Sequence, residues 1–160
     1  MRLTRAGEYA VRCMMYLSCL GVGKIGSRME IAQAMDIPAQ FLSKIAQQLA
    51  RAGYIEIVQG PKGGFRLLIP PDKLTLLGVI ETVIGEIYLN DCLMRPESCL
   101  RTPTCTVYQV WQKARRQLRK TLEETTFAAL QGEPSCFNLS NDRQDEKGTI
   151  CMGTSQGRCT

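Results

Sequence analysis

The feature that most constrains the fold is a run of two short helical segments followed at once by a pair of strands. Ser27 and Glu30 have the capping-box spacing that starts a helix. A second helix is predicted from Pro38 to Gly53, because apolar residues recur there at steps of three and four. Apolar stretches then flank the turn Gly60-Pro61-Lys62-Gly63-Gly64, which predicts a hairpin. This order predicts a winged helix-turn-helix in a mainly α chain.

The second of these helices has two different faces. One face is predicted to be apolar, with Phe41, Ile45, Leu49 and Ala52. The other carries side chains that can bond to bases and phosphates, although any solvated helix face could look similar: Gln40, Ser43, Lys44, Gln47, Gln48 and Arg51. Lys62 and Arg66 of the hairpin add attraction for phosphate. The pattern therefore predicts a double-stranded DNA-binding module.

Charge is distributed in keeping with that interpretation. The net charge is +5, and residues 1–71 hold nine Lys and Arg against four Asp and Glu. Residues 72–131 hold eight against seven, and residues 132–160 three against four. A basic first part favours a phosphate-backbone binder, although solubility alone could explain a modest excess. We expect a winged module at 1–71, a cysteine loop and dimerisation helix at 72–131, and a flexible tail at 132–160.

Three cysteines define the second part of the chain. Cys92, Cys99 and Cys105 are separated by six and then five residues. Pro96 and Pro103 are expected to keep this stretch out of regular helix or strand. Soft thiolates select an iron-sulfur cluster, zinc or copper(I), and the chain has no histidine to act as another ligand. An iron-sulfur cluster, with two or four irons, is the favoured prediction; structural zinc and free thiols remain open.

The other helices frame this loop. A first helix is predicted from Thr4 to Leu20, and a short apolar helix is expected to end at Gly85 and to pack beneath the wing and the loop. A helix of about 25 residues follows Pro103, with an apolar seam at Val107, Trp111, Ala114, Leu118, Leu122, Thr125 and Ala129. So long a seam exceeds what a small core covers, so a homodimer is expected. Basic residues beside it are expected to be solvated: Lys113, Arg115, Arg116, Arg119 and Lys120.

Cysteine usage also bears on the compartment. Neither a membrane span nor a signal peptide is evident, so a reducing, cytoplasmic location is expected. Eight cysteines then suggest metal or redox chemistry rather than disulfides. Cys13 and Cys19, in the first helix, are expected to be buried structural thiols. Cys136, Cys151 and Cys159 lie in the tail and are more simply spectators than a second metal site.

Residues 1 to 130 resemble the Rrf2 family of bacterial winged-helix regulators, which has an IscR-like branch and an NsrR-like, nitric-oxide-sensing branch. The resemblance is carried by three sets of residues together with the three cysteines: Met1-Arg2-Leu3-Thr4 with Gly7, Tyr9, Ala10 and Val11; Leu49 to Tyr54; and Gly60 to Leu67. It implies a homodimer that binds a palindromic promoter and whose DNA affinity is controlled by an iron-sulfur cluster. It also implies that residues 38–51 enter the major groove. The wing tip, from Gln59 through Gly60 and Gly63, and Arg2 would then meet the backbone and minor groove.

Three departures from the family pattern stand out. Gln59 occupies a wing position where relatives usually carry arginine. The first two cysteines are one residue further apart than in several relatives. The histidine that follows the third cysteine in the IscR-like branch is replaced by Thr106, Val107 and Tyr108. The NsrR-like branch uses a carboxylate from the partner subunit's first helix, which corresponds here to Glu8.

Glu8 is therefore a candidate fourth metal ligand, with an i,i+4 ion pair to Arg12 as the equally weighted alternative. Asp91 and Glu97 are reserve candidates. An enzymatic or electron-carrier role is the least favoured interpretation, because no cofactor-binding loop and no histidine base are found in the sequence. A regulator that works through thiol oxidation or zinc is the main alternative to a cluster sensor.

Overall fold

The structure, a computed structural model, describes residues 4–131 and is mainly helical. Its elements in chain order are α1 (Arg5–Leu20), β1 (Ile25–Gly26), α2 (Arg28–Ala34), α3 (Ala39–Arg51), β2 (Ile55–Val58), β3 (Gly64–Leu67), α4 (Leu76–Ile84), α5 (Asp91–Met94), α6 (Thr106–Glu124) and α7 (Phe127–Leu130). Single 3-10 turns at Pro96–Ser98 and Thr102–Thr104 lie between α5 and α6. The winged helix-turn-helix architecture predicted from the sequence is confirmed.

The start of α2 forms as its sequence predicts. Ser27 Oγ accepts a hydrogen bond from the Glu30 amide at 3.2 Å, and the Glu30 carboxylate accepts one from the Ser27 amide at 3.0 Å. These two bonds satisfy amides that the first helical turn leaves free. The chain then turns between α2 and α3, with Pro38 as the residue that precedes α3. The helix-turn-helix is therefore fixed largely by local interactions.

The wing contains one strand that the sequence pattern does not reveal. β2 and β3 form the predicted antiparallel hairpin, and the two-residue β1 pairs with the other edge of β3. Gly60, at φ +109°, begins the turn, which the Gly63 amide closes onto the Gly60 carbonyl at 2.9 Å. A Cβ on Gly64 would lie 2.1 Å from the Gly26 carbonyl oxygen. Close pairing of β1 with β3 therefore requires glycine at this position.

The buried face of α3 differs from the predicted one. Leu42, Ile45, Ala46 and Leu49 are buried, whereas Phe41 is 50% exposed. These buried positions follow one another at steps of three, one and three residues, which matches the 3.6-residue helical period for a stripe that begins at Leu42 rather than at Phe41. Ile45 and Leu49 are buried as predicted. The expectation that Phe41 and Ala52 belong to the core stripe was wrong, because both are exposed, and the Phe41 ring lies at the edge of the outer face.

Helix α1 runs through the main core. Cys13, Met14 and Leu17 have no exposed surface and pack in one cluster with Leu49 of α3 and Val79 of α4. α4 packs mainly against α1 and also contacts α3 and α6. Its expected position beneath the wing and the cysteine loop was therefore wrong. The segments on either side of residue 71 share this core.

The last predicted helix is in fact two helices. α6 ends at Glu124, and Thr125 adopts an extended conformation before α7 begins. The amide of Leu76 donates to the Thr125 carbonyl at 3.0 Å, and the amide of Phe127 donates to the Leu74 carbonyl at 2.9 Å. The Phe127 ring is fully buried. Burial of this ring and the bonds to the chain before α4 outweigh one further turn of α6, so the predicted continuous helix was wrong.

Within residues 4–131, no helix is both long enough and apolar enough to cross a bilayer.

Candidate DNA interface and cysteine loop

The outer face of α3 presents polar and basic side chains to solvent. Gln40, Lys44, Gln47, Gln48 and Arg51 are exposed, and Ser43 is partly covered. Amide groups can bond bidentately to a base edge, and the two cations can bond to phosphate. Five side chains of the predicted face are therefore open to solvent, and the sixth is partly so.

Ser43 has a more restricted role than its position on the helix suggests. Its hydroxyl donates to the Ala39 carbonyl at 3.0 Å and accepts from Arg28 Nη1 at 3.4 Å. A serine hydroxyl carries one hydrogen, and here the backbone of α3 already receives it. Arg28, at the start of α2, was not among the residues predicted from the sequence.

The wing tip is open to solvent. Gln59, Gly60 and Lys62 are exposed and Gly63 is partly covered. Arg66, predicted to attract phosphate, is instead bonded across the hairpin to Glu56, with Nε 3.1 Å from Oε2. The two residues face each other in the β2–β3 register, so the hairpin itself creates this pair.

A cleft of about 600 Å³ separates α3 from the wing. Its lining consists of Ser27, Arg28, Met29, Ser43, Gln47, Ile57, Val58, Gln59, Gly60, Pro61, Gly63, Gly64 and Phe65. The cleft thus joins the start of α2, the outer face of α3 and the wing tip into one surface, which is the candidate DNA interface.

The second turn of α1 meets the edge of this interface. The Tyr9 and Phe41 rings pack edge to face with centroids 6.0 Å apart, and the Arg12 guanidinium lies 5.9 Å from the Tyr9 centroid. Arg12 also donates to the Met35 carbonyl at 3.2 Å and is bonded to the Glu8 carboxylate. Within one chain, Glu8 therefore forms the ion pair that the sequence offered as the alternative to metal binding. Arg2 lies outside the described residues.

The cysteine loop is partly ordered into short helical turns, contrary to the expectation of irregular chain throughout. Cys92 lies in α5, Cys99 follows the first 3-10 turn, and Cys105 immediately precedes α6. Cys99 and Cys105 line one open pocket of about 770 Å³, together with Tyr108. Cys92 lies on α5, outside the lining of this pocket.

The three cysteines of the loop have the chemistry of ligands for a thiolate-bound metal site, but the structure does not bring them together into one. Cys92, Cys99 and Cys105 are free thiols, and Cys99 is exposed. In the described chain, no three Cys, Asp, Glu or His residues are close enough to share a metal ion, and this holds for Asp91 and Glu97 as well. Soft thiolates on a loop of short turns suit an iron-sulfur cluster or zinc, provided that the loop closes. The ligand set remains a prediction.

The other thiols have different surroundings. Cys13 is fully buried among apolar side chains, and this burial raises the pKa of its thiol to about 12. Such a thiol is neutral near pH 7 and belongs to the core. Cys19 is only partly buried. Cys136, Cys151 and Cys159 lie outside the described residues.

A network of charged groups attaches the chain that leads to Cys92 onto α6. Arg119 is bonded to Glu81 of α4, and Arg115 is bonded to Glu86. The Glu81 carboxylate also accepts from the Ile87 amide at 2.8 Å, and Arg115 Nε donates to the Ile87 carbonyl at 2.9 Å. The sequence predicts solvated side chains for these two arginines, whereas both form ion pairs. Their partners are 28 to 38 positions away in sequence, so helical periodicity alone could not identify them.

α6 retains an exposed apolar stripe in the single chain. Val107, Val110 and Trp111 are 51%, 62% and 39% exposed, and no residue of α6 is classed as buried. Leu118 and Leu122, further along, pack against the small cluster of Leu77, Ile80 and Ile87. The first half of α6 is thus the uncovered part, next to the cysteine loop.

Two helices joined by a short turn, a basic outer face and an antiparallel wing define a winged-helix DNA-binding protein. Residues 3–133 match the family model described as "Rrf2: Iron-dependent Transcriptional regulator". The chain belongs to the Rrf2 family, so it is a DNA-binding transcriptional regulator and not an enzyme.

Individual relatives agree with this assignment. The chain is 30% identical over 146 residues to the transcriptional regulator NsrR of Geobacillus kaustophilus, covering 90% of this chain and 99% of that protein. It is 36% identical over 129 residues to protein aau3 of Rhizobium meliloti, covering 79% and 82%. The crystal structure of the oxidised form of Staphylococcus aureus CymR superposes with a TM-score of 0.63 at 25% identity, covering 83% of this chain and 98% of the other.

Proposed function

We propose that the chain is a homodimeric regulator whose affinity for a palindromic promoter is controlled by an iron-sulfur cluster held by Cys92, Cys99 and Cys105. The observation that carries the proposal is the position of Cys105. It shares a pocket with Cys99 and directly precedes α6, the helix with the uncovered apolar stripe. A change in what the loop holds therefore acts at the start of the helix that is available to a second copy.

The three cysteines proposed to hold the cluster supply soft thiolate donors. The cluster would contribute sensitivity to nitric oxide, to redox state or to iron-sulfur supply. Cys105 at the N-terminus of a 19-residue helix would place an anionic group at the positive end of the helix dipole. Glu8, one of whose carboxylate oxygens is bonded to Arg12, is the proposed fourth ligand.

Dimerisation is proposed through the first half of α6. Exposed Val107, Val110 and Trp111 form an apolar surface, and burying it against a second copy would be favourable. A dimer also presents two copies of α3 to one duplex, which is why a two-fold symmetric protein binds a palindromic site.

Contacts within the chain offer a route from the loop to the DNA interface. α6 is joined to α4 by the Arg119–Glu81 pair, and α4 packs against both α1 and α3. A shift of α6 would therefore reach the recognition helix through packed elements rather than through solvent. This route supports control of DNA affinity by the state of the loop.

Native mass spectrometry of protein purified without oxygen is the decisive experiment. The expected species is a dimer with iron and sulfide in each subunit, and it should bind promoter DNA with a steep salt dependence. Cys99→Ser should lose the iron and sulfide, whereas Cys136→Ser, which changes a thiol outside the loop, should retain them. A protein that binds DNA but takes up no iron after reconstitution with iron and sulfide would exclude the cluster and leave the regulator intact.

Thiol oxidation is the second candidate, favoured by the shared pocket of Cys99 and Cys105. Formation of a disulfide between them would release two protons and two electrons, with a peroxide as the acceptor. Peptide mapping under non-reducing conditions after peroxide treatment should then find this pair, and DNA affinity should change with it. Metal analysis separates both mechanisms from structural zinc.

The DNA contacts are proposed on the outer face of α3, the wing tip and the N-terminal segment. They are Arg2, Gln40, Ser43, Lys44, Gln47, Gln59, Gly60, Lys62, Gly63 and Arg66. Replacing Lys44 or Lys62 by Gln should weaken binding to all sequences and lower the salt slope, because each cation neutralises a phosphate. Replacing Gln40 or Gln47 by Ala should instead alter base preference. Arg66 should have the smallest effect on the slope, since it is paired with Glu56.

A further inference from the structure

We propose that Arg28 binds a backbone phosphate of the operator inside the cleft between α3 and the wing, and that Ser43 positions its guanidinium. The inference concerns the DNA-binding face and does not depend on what the cysteine loop holds. It assigns a phosphate site to a residue outside the recognition helix and gives Ser43 a positioning role in place of base reading.

The cleft has the composition of a phosphate site. Among its lining residues Arg28 is the one charged side chain, and no carboxylate lines it in the described chain. The nearby Glu30 carboxylate is bonded to the Ser27 amide in the capping box. If α3 enters the major groove and the wing meets the minor groove, the DNA backbone between those grooves must pass through the cleft that separates α3 from the wing.

Arg28 is available to an anion, unlike the arginine on the wing. Its side chain is exposed, and the ion pairs found among residues 4–131 do not include it. Arg66 has its guanidinium on Glu56. An unpaired guanidinium presents several N–H donors in one plane and bonds bidentately to phosphate.

Ser43 fixes where that guanidinium lies. Its oxygen accepts from Arg28 Nη1 at 3.4 Å, while its single hydrogen is donated to the Ala39 carbonyl at 3.0 Å. With the hydrogen committed to the backbone, Ser43 has no donor left for a base. The bond uses one edge of the Arg28 guanidinium and leaves its other N–H groups for phosphate.

The test compares salt slopes of DNA binding for the full-length protein. Arg28→Gln should weaken binding to operator and to random DNA by the same factor and reduce the slope of log K against log salt by about 0.9 per protomer. Ser43→Ala should weaken both DNAs by a smaller common factor. The double variant should bind no worse than Arg28→Gln alone, because Ser43 acts through Arg28.

Lys120→Gln is the matched control, because it removes one positive charge from an exposed site on α6 and should leave the slope unchanged. Thermal melting should be unaltered in all variants, since Arg28 and Ser43 lie outside the core. A second measurement replaces operator phosphates one at a time by neutral methylphosphonate. One position in each half-site should weaken the wild type and have no effect on Arg28→Gln.

Two outcomes would overturn the inference. One is a Ser43→Ala variant that changes base preference at a single base pair and in which adding Arg28→Gln weakens binding as much as it does in the wild type. That result would make Ser43 a base reader. The other is binding of inorganic phosphate that is lost in Arg28→Gln while every methylphosphonate that weakens the wild type weakens Arg28→Gln by the same factor. That result would assign the cleft to a free anion.

Discussion

The Glu8 carboxylate is bonded to the Arg12 guanidinium, one turn further along α1. The same arginine is bonded to the Met35 carbonyl and lies near the Tyr9 ring, so Glu8 is not its sole anchor. Both partners are partly exposed, at 47% and 38% of their side-chain surface. A carboxylate held this way can be released at small cost.

Replacement of Glu8 by Gln separates the two roles. In metal-free protein, Glu8→Gln should lower the free energy of unfolding by only about 0.3–0.5 kcal/mol, measured by urea denaturation. In reconstituted protein it should change the visible spectrum if Glu8 is a ligand. Glu123→Gln, on the exposed surface of α6, serves as the control. A spectrum identical to that of the wild type would assign Glu8 to the ion pair alone.

The Glu81–Arg119 pair should be stronger than an ordinary surface pair. Its side chains are 21% and 29% exposed, and Glu81 also binds the Ile87 amide. A double-mutant cycle with Glu81→Gln and Arg119→Gln should give a coupling energy of about 1 kcal/mol or more. The pair Lys120–Glu124, which is 74% and 65% exposed, should give at most about 0.5 kcal/mol. Equal values in the two cycles would show that the network does not hold α6 to α4.

Val110→Asp should dissociate the proposed dimer. Val110 is 62% exposed in the single chain, so the substitution leaves the monomer core intact while placing a charge within an apolar interface. Sedimentation should show a monomer with an unchanged circular dichroism spectrum. Arg116→Asp, which the helical period places on the opposite side of α6, should remain dimeric. A dimeric Val110→Asp protein would move the interface elsewhere.

Phe127→Ala should reveal how much α7 contributes to stability. The ring is fully buried, so its removal should lower the free energy of unfolding by about 3–5 kcal/mol. Leu100→Ala removes an aliphatic side chain that is 99% exposed and should change it by less than about 0.5 kcal/mol. Urea denaturation measures both variants. A small effect of Phe127→Ala would mean that α7 does not complete the core.

Cys13 should make stability fall at high pH. Burial raises the pKa of its thiol from 9.0 to about 12, so between these values the unfolded chain loses a proton that the folded chain keeps. The contribution is complete below about pH 9 and is lost as pH rises towards 12. The measurement is the wild-type free energy of unfolding minus that of Cys13→Ala, as a function of pH. A difference that stays constant above pH 9 would contradict the burial effect.

Local sequence signals predicted the winged module well, because its elements are set by neighbours in the chain. The capping box of α2, the glycine turn of the wing and the Gly85 end of α4 all formed where the sequence placed them. Of the predicted buried stripe of α3, Ile45 and Leu49 are buried, whereas Phe41 and Ala52 at its two ends are exposed. Periodicity gives the spacing of a stripe more reliably than its ends, and Leu42 takes the buried position expected of Phe41.

Long-range features escaped the sequence because nothing local encodes them. β1 is two residues long and exists only because β3 offers a free edge. The break after Glu124 depends on bonds to residues 74–76, far earlier in the chain. The partners of Arg28, Arg115 and Arg119 likewise come from other elements.

The sequence by itself determined the class of this protein. Helical spacing, caps and glycine turns specify the helix-turn-helix and wing, and the three thiols predict soft-donor chemistry. Only the tertiary structure decided which side chains are free to act. Folding pairs Arg66 with Glu56 and leaves Arg28 at a cleft that no carboxylate of the described residues lines. It also commits the hydroxyl hydrogen of Ser43 to the backbone carbonyl of Ala39. The physical reason is that charge and hydrogen-bonding capacity are consumed by whichever partner the fold brings within reach, and that partner is seldom a neighbour in sequence.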